Sequence, residues 1–147
     1  MKKVSLLAAS VAFALTGCGG SDGDSSSATP SGVVITAIDG YLENAQVWVD
    51  TNNNFKWDSE DKQLDSNTDA NGEITLPNEY KDNAIFIKAI AGQTIDKTRG
   101  LVTSNFDLAA TAGATVVSPM TNMVVEQLAA DDTLTQEDAE NKVVTSV

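Results

Sequence analysis

The chain has 147 residues, 9 of them basic and 21 acidic, with no histidine, a single cysteine and a formal net charge of −12. Without histidine there is no imidazole base for a serine or cysteine nucleophile and no imidazole ligand for a catalytic zinc; one cysteine allows neither an intramolecular disulfide nor a thiolate cluster. The acidic balance makes nucleic acid and anionic lipid surfaces poor partners and divalent cations better ones.

The first seventeen residues, MKKVSLLAASVAFALTG, place two lysines before an apolar run from Val4 to Leu15 and small residues before Cys18. That is the layout of a secretory signal peptide, too short to span a membrane as a helix. Leu15-Thr16-Gly17-Cys18 resembles the bacterial lipobox. The resemblance implies cleavage before Cys18, acylation of that cysteine and a lipid anchor such as palmitate. Gly19, where an inner-membrane lipoprotein would carry aspartate, resembles the pattern of outer-membrane lipoproteins and leaves open whether the periplasmic or the cell-surface face is occupied. Lys2 and Lys3 leave with the peptide, so the mature chain keeps seven basic and twenty-one acidic residues, net −14. Residues 18–32 contain no apolar side chain larger than proline beyond Cys18 itself, cannot bury enough surface to offset their ordering entropy, and read as a flexible tether.

Residues 33–117 read as a β-sandwich module. VVITAID (33–39), AQVWVD (45–50), EITLP (73–77), AIFIKAIAG (84–92), LVTS (101–104) and FDLAAT (106–111) are short, rich in β-branched residues and bounded by turn formers. In AQVWVD, Val47 and Val49 share one face, the core side, while Gln46, Trp48 and Asp50 share a wet one. Short strands at this spacing predict a mainly β fold of Ig-like or transthyretin-like plan. Asn71-Gly72 predicts a tight hairpin turn between QLDSNTD and EITLP, although Asp65, Asn67, Asp69 and Asn71 also alternate oxygen side chains.

Residues 118–147 read as a short helical segment. Ser118-Pro119 supplies an N-cap and first-turn proline, with Met120, Met123, Val124 and Leu128 following at helical spacing as core positions. Thr135 and Asp138 form a second capping box, Leu134 is placed to staple onto Ala139, and Ala139, Val143 and Val147 form an apolar stripe. That stripe reaches the last residue without a glycine or asparagine cap, so a longer parent chain is expected.

The stretch richest in chemistry is WVDTNNNFKWDSEDKQLD, residues 48–65. Written as a twelve-residue calcium loop it offers Asp50 at position one, Asn52 at three, Asn54 at five, the Lys56 carbonyl at seven, Asp58 at nine and Asp61 at twelve. Calcium takes six to eight hard oxygen ligands, and alternating oxygen side chains on a curled loop converge on one point. Phe55 stands where the pattern wants glycine, and Asp61 is shorter than the usual bidentate glutamate. These departures place the expected affinity in the roughly 10⁻⁴ to 10⁻³ M class of extracellular modules. The competing reading is a solvated hairpin loop whose Asn and Asp side chains bond only their own backbone.

Residues 38–77 resemble the calcium-binding B-type repeat of Gram-positive surface adhesins and the carboxypeptidase-regulatory-like β-sandwich. Those families share a strand, D-x-N-x-N-G-x-x-D-x-G-E, and then T-D-x-x-G-x-[FY]-x-[FL]. The resemblance carries over Asp50, Asn52, Asn54 and Asp58, whereas Phe55, Glu60 and Asp61 depart from it. ATVVSPMTNMVVEQL also resembles a segment that follows such modules in secreted proteins of marine Gram-negative bacteria. Taken with the lipobox, the resemblance implies a non-enzymatic, lipid-anchored, calcium-stabilised module of the outer membrane, acting as a surface spacer or in adhesion to a surface protein or glycan. The alternative is a carbohydrate-binding module using Tyr41, Trp48 and Trp57, which cluster in sequence around the polar loop. A glycosidase built on Asp58 and Asp61 needs a carboxylate separation that sequence does not supply.

Overall fold

A computed structural model describes residues 31–147. The residues read as a signal peptide and lipobox, with Cys18, lie outside the described residues, as does all of the expected tether but Ser31 and Gly32. Ten strands precede two helices: β1 (Gly32–Ala37), β2 (Leu42–Glu43), β3 (Gln46–Val49), β4 (Lys62–Gln63), β5 (Glu73–Pro77), β6 (Ile85–Ala89), β7 (Ile95–Asp96), β8 (Gly100–Leu101), β9 (Phe106–Ala110), β10 (Val116–Val117), α1 (Pro119–Ala130) and α2 (Gln136–Ser146). They form a mainly β fold with a three-stranded sheet β10-β1-β5, a four-stranded sheet β4-β3-β6-β9 and a small sheet β2-β7-β8. The two larger sheets sandwich the core, and the helical segment follows.

Alternation builds that core. Ile35 and Ala37 of β1, Ile74 and Leu76 of β5 and Val117 of β10 meet Val47 and Val49 of β3, Ile85 and Ile87 of β6, and Leu108 and Ala110 of β9. Each large aliphatic side chain buried here contributes about 1.5–3 kcal/mol. Truncating one that is fully enclosed, such as Ile87, costs about 2–5 kcal/mol because the cavity only partly collapses.

The second face of the four-stranded sheet is not wet, contrary to the alternation in AQVWVD. Phe86 of β6 and Ala109 of β9 are buried on it against Val125 of α1, with Trp48 and Phe55 packed around them. Helix α1 covers this face, so β6 is buried on both sides through Ile85, Phe86 and Ile87. Asp50, expected on the wet side, is fully buried. The chain curls immediately after β3, and Asp50 is held there by its own N–H on the Ala84 carbonyl (2.9 Å) and by the Asn83 amide on its carbonyl (2.9 Å).

Asn71-Gly72 does turn the chain, but the segments it joins do not pair with each other. Gly72 adopts φ 75°, its N–H reaches the Asp69 carbonyl at 2.9 Å, and the Asp69 N–H reaches the Glu73 carbonyl at 2.8 Å. Before the turn, β4 pairs with β3; after it, β5 pairs with β1 in the opposite sheet. The turn is therefore a sheet-to-sheet crossing. A Cβ at residue 72 would lie 2.8 Å from the Ala37 carbonyl oxygen, so glycine is required by space as well as by φ.

Ser118 caps α1: its hydroxyl accepts from the Thr121 N–H while its own N–H donates to the Thr121 hydroxyl, with Pro119 at the first position. The inward residues of α1 are Val125 and Leu128; Met120 is exposed, and Met123 and Val124 are half-buried. The stripe expected through Met120 is thus rotated, because the helix must present Val125 to Phe86. Thr135 and Asp138 cap α2 as the sequence indicates, and α2 packs against α1 with Ala139 and Val143 buried. Val147 is exposed and does not extend that stripe.

Candidate functional site

The loop from Asp50 to Asp61 joins β3 to β4, and its alternation sorts side chains by direction. Asn53 and Phe55 adopt φ 54° and 61°, and these two left-handed residues curl the chain. Asn53 turns back to the body of the protein, accepting from the Ala84 N–H at 3.1 Å and donating to the Asp82 carbonyl at 3.4 Å. Asn52 and Asn54 turn the other way, towards the acids. The Asn54 amide donates to Asp58 Oδ2 at 2.8 Å, and the Asn52 amide donates to Asp58 Oδ2 at 3.1 Å and to Glu60 Oε2 at 3.0 Å.

Backbone N–H groups complete the inner surface. Asp50 accepts from Asn54 (3.3 Å) and Phe55 (2.8 Å), Asn54 Oδ1 from Lys56 (2.7 Å), Asp58 Oδ1 from Glu60 (2.7 Å), and Asp61 Oδ2 from Asp58 (2.8 Å). The polar-hairpin reading therefore describes many of these bonds correctly. It does not account for Asp61. That residue is 8% exposed, and its Oδ1 is the one buried side-chain polar atom among the described residues without a hydrogen-bond partner.

Electrostatics sharpen the anomaly. Burial pushes the Asp61 carboxyl above the ordinary aspartate value, the Asp58 N–H offsets part of that, the neighbouring charges of Asp50 and Asp58 add to the rise, and the Thr51 backbone, near the carboxyl but outside hydrogen-bond geometry to Oδ1, offsets it slightly. Asp58 moves the other way, lowered first by the Asn52 amide, then by the Glu60 N–H and the Asn54 amide. The four ion pairs among the described residues, Lys88–Asp107, Lys97–Glu43, Arg99–Asp39 and Arg99–Asp96, all lie elsewhere. Asp50, Asp58, Glu60 and Asp61 thus share one loop without a Lys or Arg bridging any of them.

Asp50, Asn52, Asn54, Asp58 and Asp61 are tied into one hydrogen-bonded loop, and the Lys56 N–H, rather than its carbonyl, joins it by donating to Asn54. Glu60 was missed. The signal for it is its place two residues after Asp58, on the side to which Asn52 reaches across. No three carboxylates among the described residues cage an ion by themselves. A cation here would take its remaining oxygens from Asn52, Asn54 and the Lys56 carbonyl, and calcium tolerates such a mixed, irregular set. The orphaned Asp61 oxygen and the unbridged acids fit a hard cation.

The aromatic residues do not assemble into one platform. Trp48 and Trp57 meet edge to face, with ring centroids 5.7 Å apart, and the Lys88 ammonium lies 4.1 Å from the Trp57 ring centroid. Tyr41 stands apart on the turn before β2, beside Asn71, Glu73 and Lys97. A cavity of about 540 Å³ opens away from the loop, lined by Met120 and Val124 of α1, Gln136, Glu140 and Val143 of α2, and residues 111–114. Comparison with known protein families, characterised proteins and solved structures gives no match for the chain.

Proposed function

We propose that this chain is a non-enzymatic, lipid-anchored β-sandwich of the outer membrane, stiffened by calcium in the 50–61 loop and serving as a surface spacer or adhesion module of the B-repeat-like, carboxypeptidase-regulatory-like kind. The observation that carries the calcium half is the buried, unpartnered Asp61 oxygen in a loop of four acids that no ammonium or guanidinium bridges. A bound calcium ion supplies the positive charge that Asp61 lacks and stabilises the fold by mass action. Asp50 fixes the start of the loop through its bonds to Asn54 and Phe55, and Asn52 and Asn54 hold Asp58 in an ionised state. The anchor half rests on Leu15-Thr16-Gly17-Cys18.

The glycan alternative gains no support from the aromatic geometry, since the Lys88 ammonium already lies over the Trp57 ring. The deciding experiment is a calcium titration of the full chain carrying Cys18→Ser, followed by amide chemical shifts. Saturable shifts at residues 50–61, with a dissociation constant of roughly 10⁻⁴ to 10⁻³ M and abolished by Asp50→Ala, are expected. No shifts at ~10 mM calcium would leave a polar loop. For the anchor, radiolabelled palmitate should enter the parent chain and not the Cys18→Ser variant; equal labelling would remove it.

A further inference from the structure

Phe55 occupies the position at which a twelve-residue calcium loop ordinarily has glycine, and it does so at φ 61°, where a bulky side chain persists only when its surroundings over-determine it. Its backbone belongs to the loop, through the 2.8 Å bond from its N–H to Asp50 Oδ2. Its ring belongs to the outer face of the sheet, packed on the cluster of Phe86, Ala109 and Val125 beside Trp48. Two residues later Trp57 lies against Trp48 and under Lys88, so the loop is pinned twice to the face that α1 covers. Helix α1 is held to that face by Val125 and by the Thr121 hydroxyl, which donates to the Ala109 carbonyl at 2.7 Å. The extensive packing of α2 is against α1 alone, so whatever holds α1 holds the pair.

We propose that Phe55 joins the 50–61 loop and helix α1 into one cooperative unit, so that a divalent cation in the loop clamps the C-terminal helix pair onto the sheet. The packing half stands on the cluster itself; the cation half rests on the calcium reading above. Coupling of this kind is reciprocal, so loosening the helix also loosens the loop. Glycine at residue 55 would keep the loop's backbone path and remove only the anchor.

The test is hydrogen exchange on the full chain carrying Cys18→Ser, with and without Phe55→Gly, first in chelator and then in 10 mM calcium chloride. In chelator, amides 122–131 should exchange about tenfold faster in Phe55→Gly than in the parent, with Ile35 and Ile74 in the β1–β5 pair unchanged. In calcium, the parent should gain protection in both loop and α1, and the variant in the loop only. Unchanged α1 exchange in the chelator arm would overturn the coupling. Calcium protection of α1 equal in both proteins would show that coupling does not run through Phe55. If calcium protects neither segment of the parent, the clamp falls together with the calcium reading; if it protects the loop and not α1, the clamp falls alone. Val125→Ala approaches from the helix side and should speed exchange in the loop; an unaffected loop overturns the proposal even if Phe55→Gly fails to fold.

Discussion

Asp61→Asn separates the cost of the orphaned carboxylate from its use. In the cation-free protein the substitution removes a buried charge whose Oδ1 has no partner and which faces the charges of Asp50 and Asp58, while the amide oxygen can still accept from the Asp58 N–H. The new NH2 stands where the unpartnered Oδ1 stood, so the gain is the removal of a buried charge and of its repulsion by Asp50 and Asp58, about 1 kcal/mol. At roughly 2.1 cal/mol/K per residue of unfolding entropy, a domain the size of residues 31–147 shifts by about 4 °C per kcal/mol. The variant should therefore melt about 4 °C higher than the parent in chelator. Calcium reverses the order. With a dissociation constant of roughly 10⁻³ to 10⁻⁴ M, 10 mM calcium stabilises the parent by about 1.4–2.7 kcal/mol, or about 6–11 °C, and the variant much less. Thermal unfolding followed by tryptophan fluorescence suits the test, because both tryptophans, Trp48 and Trp57, lie at the loop. A variant less stable than the parent in chelator, yet gaining as much from calcium, would refute both the penalty and the ligand assignment.

Acid should act on the same group in a known direction. The Asp61 carboxyl is raised in the folded state, so its contribution is a destabilisation that grows as pH rises from 3.8 through the raised value and is absent below 3.8. Parent minus Asp61→Asn stability, measured by urea unfolding in chelator across that window, should become less negative as pH falls; a flat difference rejects the shift. Gly72→Ala forces a Cβ to 2.8 Å from the Ala37 carbonyl at φ 75° and should cost about 2 kcal/mol, or about 8 °C in melting temperature. An unchanged melting curve would mean the crossing can relax. Thr135→Ala removes the cap whose hydroxyl also lowers the Asp138 carboxyl, and should cost α2 about 1 kcal/mol. Faster exchange confined to residues 136–146 is the expected sign, and exchange spreading into β6 would contradict the peripheral place of α2.

Five strands were legible because their period of two extends over at least four residues: β1, β3, β5, β6 and β9. The other five are two residues long, too short to carry a period, and exist because a neighbouring strand offers them partners; of LVTS (101–104), read as a strand, only Leu101 belongs to one, β8. Asp50 illustrates the limit of alternation, since it falls on the outward phase yet is enclosed by residues 83 and 84, which only the tertiary fold brings there. The covered outer face had a signal that alternation discounted. Ile85-Phe86-Ile87 is apolar at three consecutive positions, the mark of two-sided burial. Two-sided burial of that run is what half-packs Trp48 and gives the Phe55 ring its place. Both capping boxes were readable because they are local, whereas the rotation of α1 about its axis depends on where Phe86 waits for Val125.

Strand β1 lies between β5, antiparallel over five residue pairs, and β10, parallel through Thr36↔Val116 and Ala37↔Val117. The Thr36 and Ile38 N–H groups reach the Thr115 and Val117 carbonyls at 2.9 and 2.8 Å. Because β1 and β10 run the same way, tension applied between the start of β1 and the chain beyond β10 drags them along each other lengthwise. Their bonds are then loaded in shear and must break together, instead of unzipping one at a time. A chain held at one end and pulled at the other therefore meets a joint loaded in shear at its first strand.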